Sequence, residues 1–245
     1  MLKHTQELAP GYLIWNYRKE CIDKISKNKY YGFMEIELRL EEEKDYKIVE
    51  ELTKEAFWNA HVPGCDEHLL IHNLRKINEF IKELDFVAIN NNKIVGNIVY
   101  VKSYITNDGI KNIVLTFGPV SVLPQYQNMG IGSKLINHTI KLSKEMGYRA
   151  IIIYGDPEYY KRFGFKESKQ YGITNKDKKY PVALLVLELF PNALNGIEGI
   201  FEEGKVYEVD ENELREFDKK FQKMEKGYSK TQDRFNELVG KYILE

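Results

Sequence analysis

The sequence is poor in several residue types and patterns, and each shortage argues against a class of protein. Only two cysteines, Cys21 and Cys65, occur in 245 residues, so we expect no disulfide framework, which favours a reducing cytoplasm. No apolar run approaches the roughly 20 residues that span a bilayer. The first residues also lack the pattern of a signal peptide. We therefore expect a cytoplasmic protein that does not enter a membrane.

Charge of one sign is also lacking, because the formal net charge is −1. A basic surface that would bind nucleic acid or an anionic membrane is therefore not indicated. The hydrophobic fraction of 43% is ordinary for a globular protein. A chain of this length can bury one core and still carry appendages.

The most informative stretch joins a predicted strand to a predicted helix through a glycine turn. Residues 112–123 are rich in β-branched and aromatic residues, as a strand should be. Gly130 and Gly132 follow, and the next apolar residues recur on one helical face: Ile131, Leu135, Leu142 and Met146. Glycines at a helix start let a ligand approach the unpaired first-turn amides. The pattern therefore predicts a site for a phosphate or pyrophosphate.

Other interpretations of the turn are weaker or less specific. A dinucleotide-binding fingerprint would need a third glycine, where this chain has Leu135. A P-loop needs Gly-Lys-Ser/Thr, whereas the order here is Gly132-Ser133-Lys134. A plain helix cap would also explain the two glycines.

A second motif adds specificity. Val122-x-Pro124-x-x-Gln127-x-x-Gly130-x-Gly132 is followed by Tyr160-x-x-x-Gly164-Phe165. In this order and spacing the two motifs resemble the GNAT superfamily of N-acetyltransferases, over about residues 34–190. The motif Gly-Asp-Pro-x-Tyr-Tyr-x-Arg-Phe-Gly-Phe, residues 155–165, resembles that of one subgroup of predicted bacterial acetyltransferases.

The resemblance implies an α/β (α+β) fold with a mixed, mostly antiparallel central sheet flanked by helices. The sheet should be splayed between the two motif strands, and a C-terminal helical extension should follow. Three segments are expected: an N-terminal extension (1–33), the acetyltransferase domain (34–190) and a C-terminal extension (191–245). The last of these should pack on the core or on a partner, which leaves a homodimer open.

Acetyl-CoA is the cosubstrate that the resemblance implies. Proline and glycine at 118–119 predict a break in the first motif strand. By resemblance, the Val120 amide faces the acetyl carbonyl and Val122 pairs with the pantetheine arm. The implied cosubstrate-binding residues are Val120, Val122, Gln127, Asn128, Met129, Gly130, Ile131, Gly132 and Ser133.

Catalysis in this superfamily mostly uses direct attack of a neutral amine on the thioester. Tyr160 matches the tyrosine that protonates the leaving thiolate in many relatives, and its motif position favours this role over that of a ring that only packs against Phe163 and Phe165. The catalytic residues that the resemblance implies are therefore Tyr160 and Val120. The base is open, because the motif strand carries no carboxylate. Asp156 and a water relay are the two candidates, and Asp156 is better explained as a helix N-cap.

Cys65, His68 and His72 have the spacing of metal ligands, but no fourth ligand accompanies them, so we expect no metal. Trp58, His61 and His68 fall in the region that usually walls the acceptor site of the superfamily. The predicted function is transfer of an acetyl group to an amine of a small molecule or peptide. The alternative is a non-catalytic acyl-CoA-binding module.

Overall fold

The computed structural model describes residues 35–244. The predicted N-terminal extension (1–33) and Cys21 lie outside the described residues. Within the described part, nine strands form: β1 (Glu37–Leu40), β2 (Phe86–Asn90), β3 (Lys93–Asn107), β4 (Ile110–Val122), β5 (Ala150–Tyr154), β6 (Lys166–Glu167), β7 (Ile173–Thr174), β8 (Leu184–Glu188) and β9 (Gly199–Glu202). The α-helices are α1 (Tyr46–Phe57), α2 (Glu67–Leu74), α3 (Ile131–Glu145), α4 (Pro157–Tyr160), α5 (Glu211–Asp218) and α6 (Lys230–Leu238). Short 3-10 helices occupy Glu43–Asp45, Lys82–Leu84, Pro124–Tyr126, Lys161–Phe163, Ser168–Tyr171 and Lys205–Tyr207.

The strands form one mixed sheet in the order β1-β2-β3-β4-β5-β8-β6. Strand β9 pairs with the C-terminal end of β3 and with β7. Pairing is antiparallel except between β4 and β5 and between β7 and β9. The expected mixed, mostly antiparallel sheet flanked by helices is therefore confirmed. None of the helices in residues 35–244 is long and apolar enough to cross a bilayer.

The centre of the sheet opens between β4 and β5. Their register contains one pair, Leu115 with Ile151. Beyond it, β4 breaks at Gly118 and Pro119, where the β3–β4 register shifts between Ile98 and Tyr100. Proline cannot donate to a β-ladder, so the break occurs where the sequence predicts it. The carboxyl-terminal ends of β4 and β5 thus separate and leave room between them.

Helix α3 packs on the sheet with a face that differs partly from the predicted one. Ile131 and Leu135 are buried as expected, but Met146 is 42% exposed, because the helix ends at Glu145. Two small polar residues, Thr139 and Ser143, are buried instead. Thr139 Oγ1 lies 2.9 Å from the hydroxyl of the fully buried Tyr100. A buried hydroxyl needs such a partner, and this need decides the composition of the face.

The segment after residue 190 is partly sheet and partly helix. The predicted last strand, Tyr180–Phe190, is shorter in the structure and occupies Leu184–Glu188. Strand β9 comes from the segment assigned to the C-terminal extension, and the sheet therefore continues past residue 190. Helices α5 and α6 follow, and Phe217 of α5 is buried against the same chain.

Candidate active site

The glycine turn opens helix α3 as the sequence predicts. Gly130 is the N-cap residue in a left-handed conformation (φ 84°), and Asn128 is also left-handed (φ 62°). The first backbone bond into the helix runs from the Lys134 amide to the Gly130 carbonyl, 2.9 Å. Among the described residues, the amides of 128–133 have no backbone acceptor. An anion at this turn would therefore meet free amides and the positive end of the helix dipole.

A groove of about 570 Å³ runs past this turn. We call it the groove; its walls include β4, the turn, α4 and the end of α1. Nine of the ten predicted site residues line it: Val120, Val122, Gln127, Asn128, Gly130, Ile131, Gly132, Ser133 and Tyr160. Met129, the tenth, does not line the groove. The amide side chain of Gln127 donates to the Val122 carbonyl at 3.0 Å, so its contact is with the strand end.

Two adjacent tyrosines stand at the groove in different surroundings. The Tyr160 ring packs so closely on Gly155 that a Cβ there would lie 2.3 Å from it. Phe117 and Phe165 contact the other parts of that ring, with centroids 5.9 and 5.6 Å away. The Tyr159 hydroxyl instead lies 3.5 Å from where a Cβ of Gly132 would be. Burial raises the pKa of Tyr160, so its hydroxyl is protonated at neutral pH.

Asp156 caps α4, as the sequence predicts. Its Oδ1 accepts from the Glu158 amide at 2.9 Å. Both carboxylate oxygens also accept from Arg234, each at 2.8 Å. The hydrogen bonds from Arg234 hold the pKa of Asp156 below its usual value. A carboxylate with these partners is a poor general base, and its structural role accounts for both oxygens.

This geometry agrees with comparisons to known proteins. Residues 83–167, which include β4, the glycine turn and α4, match the model of the acetyltransferase (GNAT) domain family. The uncharacterized N-acetyltransferase YhbS of Escherichia coli K12 is 26% identical over 137 residues, which are 56% of this chain and 80% of YhbS.

Solved structures of GNAT proteins share the fold. The crystal structure of Escherichia coli YhbS in complex with CoA has a TM-score of 0.62 and 22% identity, covering 72% of this chain and 93% of that one. A GNAT family acetyltransferase from Brucella melitensis in complex with acetyl-CoA has a TM-score of 0.57 and 25% identity. It covers 71% of this chain and 99% of its own.

The groove contains residues that the sequence interpretation missed. Arg162 lines it and stacks on Tyr159, with the guanidinium carbon 4.5 Å from the ring centroid. This arginine stands inside the quoted Tyr-Tyr-x-Arg motif, so its charge was a readable signal for a phosphate partner. Thr231 also lines the groove, but it comes from α6 and nothing local in its sequence marks it.

The C-terminal segment contacts the loop that follows α1 through residues 225–242, which we call the strap. Asn59, left-handed at φ 61°, accepts from the Gly227 amide at 3.0 Å and donates to the Glu225 carbonyl at 3.2 Å. Trp58 Nε1 donates to the same carbonyl at 2.8 Å. Farther along the strap, the Thr231 hydroxyl donates to Ala60. The strap is therefore fastened to the loop that follows α1.

The Cys65, His68 and His72 pattern is a packing cluster in the structure. His68 is fully buried, with Nδ1 3.6 Å from the Cys65 sulfur and Nε2 3.1 Å from Asp218 of α5. Asp218 also pairs with Lys54. His72 turns to Glu50, 2.8 Å away. Burial raises the pKa of the Cys65 thiol and lowers that of His68, so both are neutral. Within residues 35–244, no group of three or more such side chains could hold a metal ion.

The three residues expected at the acceptor wall have different places. His61 lines the groove and stacks on Phe235 of the strap, with ring centroids 4.9 Å apart. Trp58 anchors the strap, and His68 is internal. Of the three, only His61 therefore lines the groove.

Proposed function

We propose that the protein is an acetyl-CoA-dependent N-acetyltransferase that moves an acetyl group to an amine of a small molecule or peptide. The observation that carries the proposal is the run of unpaired amides at 128–133, within a domain that matches the GNAT family. The relatives' names support the reaction, since YhbS is called an N-acetyltransferase and its crystal structure holds CoA. We also propose that the protein is a member of the bacterial acetyltransferase subgroup that the Gly-Asp-Pro motif (residues 155–165) suggests.

The turn fits the pyrophosphate of acetyl-CoA. A Cβ at Gly130 would meet no atom within 4 Å, which leaves the space in front of the amides open. Arg162 on the groove wall would supply a positive charge for a phosphate. From there the pantetheine arm would run toward the gap between β4 and β5, where Val122 would pair with it. The Val120 amide would stabilise the charge that develops on the acetyl oxygen.

The transfer itself is a direct attack in a ternary complex. The neutral amine nitrogen forms a bond to the acetyl carbon while the bond from that carbon to sulfur breaks. The amine loses a proton to water, and Tyr160 donates one to the leaving thiolate and regains it from solvent. The raised pKa of Tyr160 keeps that proton available at neutral pH. The partner that we propose is the acceptor amine. We propose no nucleic-acid or membrane partner.

The amide site is tested by one substitution and its uncharged match. Because the space at Gly130 is open, Gly130→Asp and Gly130→Asn both fit, and both carry the same cost at φ 84°. The aspartate would put a carboxylate beside the pyrophosphate. We expect CoA at about 100 times its Kd to stabilise wild type by about 2.7 kcal/mol, measured as a melting-temperature shift. Gly130→Asp should abolish this shift, and Gly130→Asn should retain most of it.

The control separates charge from strain. Loss of CoA stabilisation in both variants would mean that backbone conformation, not repulsion, decides binding. Equal stabilisation of wild type and Gly130→Asp would contradict the pyrophosphate assignment. Thiol release from acetyl-CoA across a panel of amines tests the reaction. CoA binding without any release would favour the non-catalytic module.

A further inference from the structure

A second cavity adjoins the groove on the side of the strap. Its volume is about 590 Å³, within the range of pockets that hold small molecules. Most of the side chains that line it are apolar or aromatic, among them Tyr154, Pro181, Phe235, Leu238, Val239 and Tyr242. Four of these six, Phe235, Leu238, Val239 and Tyr242, belong to the strap, so the cavity exists only while the strap is docked.

The cavity lies next to the point where the acetyl group would sit. His61 and Thr231 line both the cavity and the groove. The groove is walled by the end of β4, and the cavity by Tyr154 and Gly155 at the end of β5. Those two strand ends separate beyond the Leu115–Ile151 pair. A molecule in the cavity therefore faces a thioester in the gap from the side opposite the glycine turn.

The charges around the cavity disfavour an anionic ligand. Arg234 is the one arginine or lysine among the described residues that line it. Its guanidinium is already shared between Asp156, at 2.8 Å, and Glu237, at 2.9 Å. Asp156 is the one carboxylate among the described residues that line the cavity, so its charge and that of Arg234 offset each other. A ligand with a carboxylate or phosphate would find no unshared arginine or lysine among the described lining residues, whereas a ligand with an ammonium group would be tolerated.

We propose that this cavity is the acceptor site and that it selects a primary amine whose remaining body is apolar and carries no negative charge. The proposal rests on the proposed function and adds its substrate class. The apolar body would lie against Phe235 and Leu238, and the amine would point through the shared residues His61 and Thr231. In the transfer, the nitrogen–carbon bond forms, the carbon–sulfur bond breaks, and the amine proton passes to water.

The test uses the full chain with three probe amines: phenethylamine, ethanolamine and β-alanine. We expect kcat/KM for phenethylamine to exceed that for ethanolamine at least tenfold, with β-alanine lowest. Leu238→Glu puts a charge into the apolar wall. It should lower kcat/KM for phenethylamine at least tenfold without changing the melting-temperature shift that CoA induces. Asn236→Glu adds the same charge on the same helix at an exposed position outside the cavity lining, and should change kcat/KM less than twofold.

Val239→Glu is the second variant, because Val239 is 59% exposed and its replacement cannot unfold the core. It should lower the phenethylamine value in the same direction. Ethanolamine as good as phenethylamine, or a preference unchanged in both cavity variants, would overturn the proposal.

A binding measurement separates this proposal from the proposed function. Saturation-transfer NMR of phenethylamine with the CoA-loaded protein needs no turnover. A signal present in wild type and Asn236→Glu but lost in Leu238→Glu supports the cavity even if no amine releases thiol, in which case the proposed reaction is what fails. An absent signal in wild type, or one equal in Leu238→Glu, overturns the cavity assignment whether or not other amines are acetylated.

Discussion

The groove has two sides that are built in different ways. On one side, the turn at residues 127–133 presents backbone amides, and its geometry is fixed within a single strand–turn–helix unit. On the other, the strap is held by side-chain bonds that join residues far apart in sequence, such as Asn59 with Gly227 and Asp156 with Arg234. A local backbone site tolerates changes elsewhere, whereas a docked segment depends on a few contacts. Binding of the cosubstrate and choice of the acceptor should therefore be separable by mutation.

The largest effect is expected at Tyr160, which lines the groove from α4. Tyr160→Phe keeps the ring and its packing on Gly155 but removes the proton that the leaving thiolate would take. Turnover should fall by about ten- to ten-thousand-fold, measured as single-turnover transfer at saturating acetyl-CoA. Tyr159→Phe is the matched control, since that hydroxyl lies toward Gly132. A loss confined to Tyr159→Phe would assign the acid to the other tyrosine.

The next effect is expected where α5 packs on helices α1 and α2. Asp218 faces two groups that are buried, Lys54 and His68, with side-chain exposures of 5% and 0%. Asp218→Asn would leave the Lys54 charge without its counter-ion, which should cost about 1–3 kcal/mol of unfolding free energy. Urea unfolding measures it. Glu216→Gln, which breaks the exposed Lys219 pair on the same helix, should change stability by less than about 0.5 kcal/mol. Equal losses in both variants would contradict the difference in burial.

A smaller, local effect is expected at the strap. Asn59→Ala removes the hydrogen bonds to Gly227 and Glu225. It also places alanine at φ 61°, a left-handed conformation that asparagine adopts more readily. Hydrogen exchange in residues 225–242 should accelerate about ten- to a hundredfold, as 1–3 kcal/mol of local stability would give, while β3 and β4 stay protected. Asn59→Asp keeps the acceptor oxygen for the Gly227 amide and should have a weaker effect. Acceleration throughout the sheet would mean that the strap and the core open together.

The melting-temperature shift that CoA induces in Asn59→Ala tests whether the turn and the strap act independently. If the two sides are separable, Asn59→Ala retains the shift while its KM for the amine rises. A lost shift would show that the strap also supports the glycine turn.

The smallest effect concerns pH. Burial lowers the pKa of His68, so below its ordinary value of about 6.5 the unfolded chain takes up a proton that the folded protein does not. Stability should therefore fall as pH falls through 6.5, with a slope of at most about 1.4 kcal/mol per pH unit, the limit for one proton. His68→Gln should flatten this part of the profile. His138, whose pKa burial also lowers, is present in both proteins, so the difference between the two curves isolates His68. Parallel curves would mean that folding does not shift the pKa of His68.

The sequence predicted those parts of the molecule in which the determining residues are neighbours. Gly130 marks a left-handed cap, Gly118–Pro119 marks the break in β4, and Asp156 marks the start of α4; each effect acts within a few residues. The buried face of α3 was predicted only in part. Thr139 is buried because Tyr100, from another element, needs a hydroxyl partner, and no periodicity of apolar residues reports that need.

The His68 and strap contacts show the same limit. The spacing of Cys65, His68 and His72 excludes neither a metal site nor a packed cluster, although the missing fourth ligand argues against a metal. Asp218, 150 residues away from His68, pairs with its Nε2 atom. Likewise, Thr231 and Phe235 look like ordinary helix residues until the chain returns to Asn59 and His61.

The sequence by itself therefore determined the glycine turn, the strand break and the order of the motifs, because backbone conformation depends on steric limits within a few residues. Only the tertiary structure decided which side chains close the second side of the groove and form the cavity beside it. Those contacts depend on where distant segments of the chain meet, and the free energy that brings them together comes from burial of the whole core rather than from any local pattern.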